Sequence, residues 1–335
     1  MIDPMRPVEE PADFFGRKGT VRRIFSRIGA ERPQSVAVIG GVRSGKTSLL
    51  NYIAHPSVSG AELDPARNYR LCRVDCRGPA AEKPESFFAA VGSCLSVETS
   101  TRPAAAPADY YDRFKKSVEA AHRSNGHLVF LMDDFHCITG SESFPLEFFS
   151  FLRSMANNYN VAYVTTSFLE LQKLCVVKDI EESPFFNIFT NLSLGLLERK
   201  AAVALLSSAA SLAEEAAQDV VDWCGASPYL LKLLAARLAA APPDSVDEDT
   251  LEKTLSPHTE PYFEEIVSML SPQVFSALKS IARGKSLDPR DAHLLRPLVK
   301  QGFFVEEDAK VEAFSPAFGL FLKSRLSKKM LRGRG

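Results

Sequence analysis

Lys46 and Thr47 close the run Gly40-Gly41-Val42-Arg43-Ser44-Gly45-Lys46-Thr47, which satisfies the spacing G-x-x-x-x-G-K-[ST]. That spacing is suited to holding phosphates. Backbone N–H groups of such a loop point inward, glycines allow close approach, and the positive end of a following helix adds to the field. Lys46 would reach the β- and γ-phosphates, Thr47 would ligate Mg²⁺, and Ser48 follows at the helix start. The chemistry implied is binding of a nucleoside triphosphate.

A second group lies downstream. Leu128-Val129-Phe130-Leu131-Met132-Asp133-Asp134 is a continuous apolar run ending in two carboxylates, as a strand buried on both faces would be. Asp133 suits a carboxylate that holds Mg²⁺ through its water shell, and Asp134 one that orients or deprotonates an attacking water. The pair could equally cap a helix or a turn. Val161 to Ser167 is the next buried strand, and Thr166 or Ser167 at its tip could contact the γ-phosphate or the water, or cap a helix starting near Leu169.

These groups need elements to bring them together. Ser35 to Ile39, before the loop, is a short β-branched strand, and Ser48 to Ile53 after it has helical spacing. Further strands are expected at Tyr69–Asp75 and Ile188–Leu194, with helices between the strands and one from Phe14 to Ile28 before the first of them. Strands alternating with helices imply a parallel sheet, whose ligands gather at the carboxyl ends of the strands. After Glu198 the pattern turns helical, with Arg199–Ala209, Glu214–Cys224 and Pro228–Ala240. Helices are then expected at Tyr262–Leu270, Pro272–Arg283 and Asp288–Lys300, followed by a hairpin of Phe303–Val305 and Val311–Phe314. Three helices and a hairpin suggest a winged helix.

Composition narrows the class. The 335 residues are 45% hydrophobic and 24% charged, as in ordinary globular chains. No apolar run suggests a membrane span, and the first residues lack a signal peptide's apolar core, so the expectation is a cytoplasmic protein with no membrane partner. The six cysteines stand singly without metal-ligand spacing and are expected to be reduced. His127 and His136 bracket a strand, ~30 Å apart along it, too far to share an ion. The tail holds Lys323, Arg325, Lys328, Lys329, Arg332 and Arg334; removing these six cations from the net charge of −1 leaves −7. Such a terminus invites nucleic acid or an acidic partner, or is a solvated helix end.

The string Phe15-Gly16-Arg17, the phosphate loop, the strand ending Met132-Asp133-Asp134-Phe135, the segment Ser183-Pro184-Phe185-Phe186 and the run Cys224-Gly225-Ala226-Ser227-Pro228-Tyr229-Leu230-Leu231 together resemble AAA+-related STAND NTPases. The resemblance runs from about residue 14 to the C-terminal module. It implies ATP or ADP with Mg²⁺ as ligands, and base-side contacts from Phe15, Gly16, Arg17 and Pro228. Ser227 and Pro228 also suit the N-cap and first position of a helix. Origin-initiator-like AAA+ proteins usually place an arginine where Pro228 stands; STAND proteins resemble this chain in having proline. Arg43 resembles a basic residue that many STAND loops carry. The acid common after the Gly-Arg motif is Thr20 here, and Asp134 stands where many AAA+ enzymes use the longer glutamate.

The expected architecture is α/β: an ASCE or AAA+-like P-loop NTPase parallel sheet with a helical lid and a C-terminal winged-helix domain. The boundaries are a leader at 1–13, an ATPase core at 14–194, a lid at 195–243, the winged helix at 244–328 and a basic tail at 329–335. The function expected is an ATP-binding, slowly hydrolysing molecular switch acting through a separate protein partner or effector, with a homo-oligomer open. The alternative is an ATP-dependent DNA-binding protein resembling AAA+ initiators, reading DNA through residues 288–300 and the tail. A nucleotide-binding scaffold without turnover is a third reading.

Overall fold

The computed structural model describes residues 3–95, 108–240, 248–268, 270–282, 292–307 and 310–332. The Pro-rich connection at 101–107, the boundary at 241–244, and Asp288, Arg290, Asp291, Asp308 and Arg334 lie outside the described residues.

The phosphate loop is flanked as its neighbours dictate. Helix α1 (Lys18–Ile28) buries Val21, Ile24, Phe25 and Ile28 on one stripe, at the i, i+3, i+4, i+7 spacing of an amphipathic helix. Strand β1 (Ser35–Ile39) leads into the loop, and α2 (Lys46–Ala54) leaves it. Then come α3 (Pro56–Glu62), β2 (Asn68–Asp75), α4 (Pro84–Leu95), α5 (Ala108–Arg123) and β3 (Gly126–Asp133). A short α6 (His136–Thr139) follows the two aspartates. It is succeeded by α7 (Leu146–Asn158), β4 (Val161–Ser167), α8 (Lys178–Glu181) and β5 (Phe189–Ser193).

The five strands form one sheet in the order β2-β3-β4-β1-β5, parallel throughout. Alternation along β3 explains its unbroken apolar run. Val129 and Leu131 join one face with Val36, Val38, Leu49 and Ile53, while Leu128, Phe130 and Met132 join the other with Phe87, Phe148, Phe149 and Phe185. Both faces are therefore covered, as a parallel sheet requires. Register sets Asp75 opposite Asp133, Val38 opposite Thr166 and Ile39 opposite Ser167, so the carboxyl ends of β2, β3, β4 and β1 come together beside the phosphate loop.

Helices α9 (Arg199–Ala210), α10 (Glu214–Cys224) and α11 (Pro228–Ala240) follow the sheet. The C-terminal segment comprises α12 (Glu248–Ser268), α13 (Pro272–Ala282), α14 (Ala292–Lys300), the antiparallel hairpin β6 (Phe304–Glu307) and β7 (Lys310–Ala313), and α15 (Pro316–Arg332). Trp223, Leu230 and Leu234 share one core with Phe263, Leu295 and Phe318, so the two helical parts pack as a unit.

Some expectations are corrected. The first helix begins at Lys18 and not at Phe14, because Gly16 (φ 71°) and Arg17 (φ 60°) are left-handed. Between α2 and β2, where the spacing indicates no helix, α3 is started by the His55 side chain accepting from Ser57 N and by Pro56. Near Leu169 only a 3₁₀ turn forms, Leu171–Leu174. Helix α12 runs through Pro257 and Pro261, although each proline removes one hydrogen bond of the helix ladder.

Candidate functional site

The loop is shaped by contacts that exclude side chains. A Cβ on Gly40 would meet Ser44 Oγ at 2.6 Å and the Leu194 carbonyl at 2.8 Å. Gly45 is left-handed (φ 86°), as is Arg43 (φ 53°), and this winding turns successive N–H groups to one side. The Lys46 Nζ donates to the carbonyls of Gly40 and Gly41, both at 2.9 Å. Burial pushes its ammonium below the ordinary lysine value, opposed by Asp134 and Asp133. A triphosphate would supply the negative charge that such a buried cation lacks.

Asp133 is fully buried. Its Oδ1 accepts from Thr166 Oγ1 at 2.7 Å, and the same oxygen of Thr166 accepts from the Asp134 amide at 2.7 Å. Thr166 thus joins the two acids. Ser167 Oγ donates to the Leu169 carbonyl, and neither Thr166 nor Ser167 is exposed to the cavity. The Asp133 Oδ2 is buried without a hydrogen-bond partner, with Arg73 the ion-pair neighbour at 3.6 Å. Among the described residues no cluster of three or more His, Cys, Asp or Glu side chains could hold a metal. The Asp133 Oδ2, which makes no hydrogen bond, and the Thr47 hydroxyl fit an ion that brings its other ligands as water and phosphate oxygens, as Mg²⁺ does.

Asp134 is left-handed (φ 51°). Burial first, and Asp133 second, raise its carboxyl above the usual carboxylate range. Arg77 Nε lies 3.3 Å from its Oδ2, and burial lowers the neighbouring His136 imidazole against the pull of Asp134.

These groups face a cavity of about 1020 Å³ lined by Phe15, Arg17, residues 42–48, Asp134, Pro228 and other side chains. Gly16, Gly40, Gly41, Asp133, Thr166 and Ser167 are not among its lining residues. A Cβ on Gly16 would meet Glu198 Oε2 at 2.5 Å; glycine lets the Arg17 amide donate to that carboxylate at 2.9 Å. Arg17 is 4% exposed, and its Nη2 donates to the carbonyls of Ser44 at 2.5 Å and Gly195 at 3.2 Å. Its side chain therefore braces the phosphate loop. Burial pushes its pKa down to about 10, with Glu198 opposing. Pro228 begins α11, and the Ser227 hydroxyl donates to Tyr262 Oη at 3.1 Å. The N-terminal residues cross the mouth: Val8 bonds Ser48 Oγ and Asn51 on α2, and the Arg6 carbonyl accepts from Lys232 on α11.

The C-terminal segment rests on the same loop. Arg43 Nε donates to Glu265 Oε2 on α12 at 2.6 Å, and its guanidinium lies 4.4 Å from the Tyr229 ring centroid. The ring of Phe303 covers Gly41. Gln301 Nε2 donates to the Phe168 carbonyl at 2.7 Å. Glu198, Glu265, Gln301 and Phe303 escape a reading of motifs because they come from elements far along the chain. Arg77 and His136 carry a weak local signal, each lying just beyond a strand that ends in aspartate.

Comparison with known proteins agrees with this geometry. The model of an AAA domain family matches residues 29–171, and that of Novel STAND NTPase 2 matches residues 115–258. No curated protein matches. The walker-type ATPase of Pyrococcus abyssi has a TM-score of 0.64 at 17% identity, over 95% of this chain and 99% of that one. The ORC2 protein of Aeropyrum pernix, in its ADPNP-ADP complexes, has a TM-score of 0.59 at 15% identity, over 99% and 97%. Cdc6p of Pyrobaculum aerophilum has a TM-score of 0.51 at 11% identity, over 98% and 97%. The parallel sheet and its loop define a P-loop NTPase of AAA+-like fold. Within that class, the chain is similar over residues 115–258 to the Novel STAND NTPase 2 family. Among the described residues no helix is long and apolar enough to cross a membrane.

Proposed function

We propose that the chain is an ATP-driven molecular switch of low turnover, in which bound nucleotide sets how the C-terminal segment packs on the ATPase core. The observation that carries this reading is the seating of that segment on the phosphate loop, by Glu265 on Arg43 and Phe303 on Gly41. A γ-phosphate arriving at Lys46 adds contacts to one packing and not the other, which is what shifts such an equilibrium. Phe15 and Pro228 face the base, Arg17 and residues 40–48 hold the phosphates, and Thr47 and Asp133 hold Mg²⁺. When bound, Mg²⁺ supplies neutralisation of the charge on the β- and γ-phosphates. Asp134 takes the proton of the attacking water, with Thr166 fixing both acids and Ser167 closing the strand end. The domains are the leader at 1–13, the core at 14–194, the lid at 195–243, a winged helix at 244–328 and the tail at 329–335.

The switch acts in the cytoplasm on a separate protein partner or effector, with self-association as one form of partner. The fold likeness to ORC2 and Cdc6p keeps ATP-dependent DNA binding as the alternative. Against it, Arg325 on α15 is paired with Glu264 at 2.8 Å. The test is the nucleotide released when the purified protein is denatured, identified by ion-pair chromatography. Near-stoichiometric ADP supports a closed switch; a site that is empty and binds no added MgATP overturns the reading.

A further inference from the structure

His136 is a cavity-lining side chain that phosphate binding and the two acids leave without a role. It opens α6, and its ring meets Phe168 edge-on, with centroids 4.8 Å apart and planes at 84°. Both rings line the cavity with Lys46 and Asp134. The His136 Nδ1 is shielded from solvent and makes no hydrogen bond. Asp134 Oδ1 stands 3.8 Å from it, beyond hydrogen-bond reach. The other carboxylate oxygen faces Arg77 Nε at 3.3 Å. That guanidinium is itself held by Asp75, through Nε on Oδ1 and Nη2 on Oδ2, both at 3.1 Å. Asp134 therefore sits between an anchored cation and a ring nitrogen that makes no hydrogen bond, both on side chains that line the cavity. Its backbone is pinned by Thr166, so the side chain can exchange between the two by rotation alone.

We propose that His136 is the positioning residue for Asp134, capturing the carboxylate from Arg77 and holding it toward the attacking water. An approach of about 1 Å brings Oδ1 within reach of an Nδ1–H donor. The second oxygen then accepts a proton as the water oxygen bonds to the γ-phosphorus. The bond to the bridging oxygen breaks with its electron pair going to the diphosphate, and the carboxyl proton passes to the released phosphate. This role rests on the ATP-hydrolysing reading above.

The test measures kcat and KM for MgATP, with ADP affinity and thermal melting as controls, on the full chain. His136→Ala should lower kcat at least tenfold, because misplacing a catalytic group by about 1 Å costs on the order of 100-fold, while ADP affinity stays within twofold. His136→Asn places an amide nitrogen near the position of Nδ1 and should restore most of the rate. His136→Gln reaches the position of Nε2 and should not. Equal rates for the Asn and Gln variants, or an unchanged kcat in His136→Ala while Asp134→Asn is slow, overturns the role of His136 alone. If His136→Ala fails to melt cooperatively, the Asn and Gln pair decides. Wild-type protein that binds ATP and releases no phosphate overturns the hydrolysis reading and this role with it.

Discussion

Replacing Gly41 with alanine tests the seating of the C-terminal segment with a single methyl group. The backbone of Gly41 is not left-handed, so alanine is unstrained there; a Cβ on Gly40, by contrast, would meet the Leu194 carbonyl at 2.8 Å. The new Cβ would lie 2.5 Å from both Cε2 and Cζ of Phe303, where carbon pairs rest at about 3.5–4.0 Å. The overlap of about 1 Å must be relieved by moving the ring, since the other side is phosphate loop. Overpacking of this kind costs about 1–3 kcal/mol, which shifts the docked-to-undocked ratio about 5- to 150-fold. Under the switch reading, Gly41→Ala should speed release of a fluorescent ADP by a comparable factor. Phe303→Leu removes the ring edge, so the double variant should release ADP within twofold of Phe303→Leu alone. A coupling below about 0.5 kcal/mol between the two substitutions, the ordinary additivity of independent sites, would refute the seating as the control of release.

Lys46→Ala removes the ammonium that now bonds two loop carbonyls; by calorimetry, ATP affinity should fall at least about tenfold, as loss of a charged hydrogen bond requires, and normal affinity would remove Lys46 from the site. Thr166→Val leaves the Asp133 Oδ1 and the Asp134 amide without their shared partner, costing about 1–3 kcal/mol for each buried group left unpaired. In urea unfolding Thr166→Ser should lose much less, and equal losses would deny the hydroxyl its role. For DNA, the switch reading expects no ATP-dependent binding to duplex. A slope of log K against log salt near about −5, from six tail cations on phosphates, would favour the alternative.

What the sequence discloses is what short-range spacing encodes. The phosphate loop, the acids closing β3 and the alternation that buries both faces of the sheet are local patterns. Helices α10 and α11 are bounded as spacing and capping residues indicate. Arg17 shows the limit. Its motif signals a site, yet its partner Glu198 lies 181 residues away, and only the folded chain turns its guanidinium onto the carbonyl of Ser44. Arg43 and Glu265, 222 residues apart, meet for the same reason. No periodicity specifies which distant surface packs on a glycine, so the contact of Phe303 with Gly41 is invisible until the sheet and the C-terminal segment are assembled. Helix α12 is the converse case, since its packing against Leu230, Phe318 and their neighbours holds a helix that two prolines would locally interrupt.

Hydrogen exchange of residues 292–307, compared between MgADP and a non-hydrolysable ATP analogue, reads the coupling between nucleotide and C-terminal segment directly. The switch predicts markedly faster exchange there with the triphosphate, while β3 stays protected. Identical exchange with both nucleotides bound would contradict it.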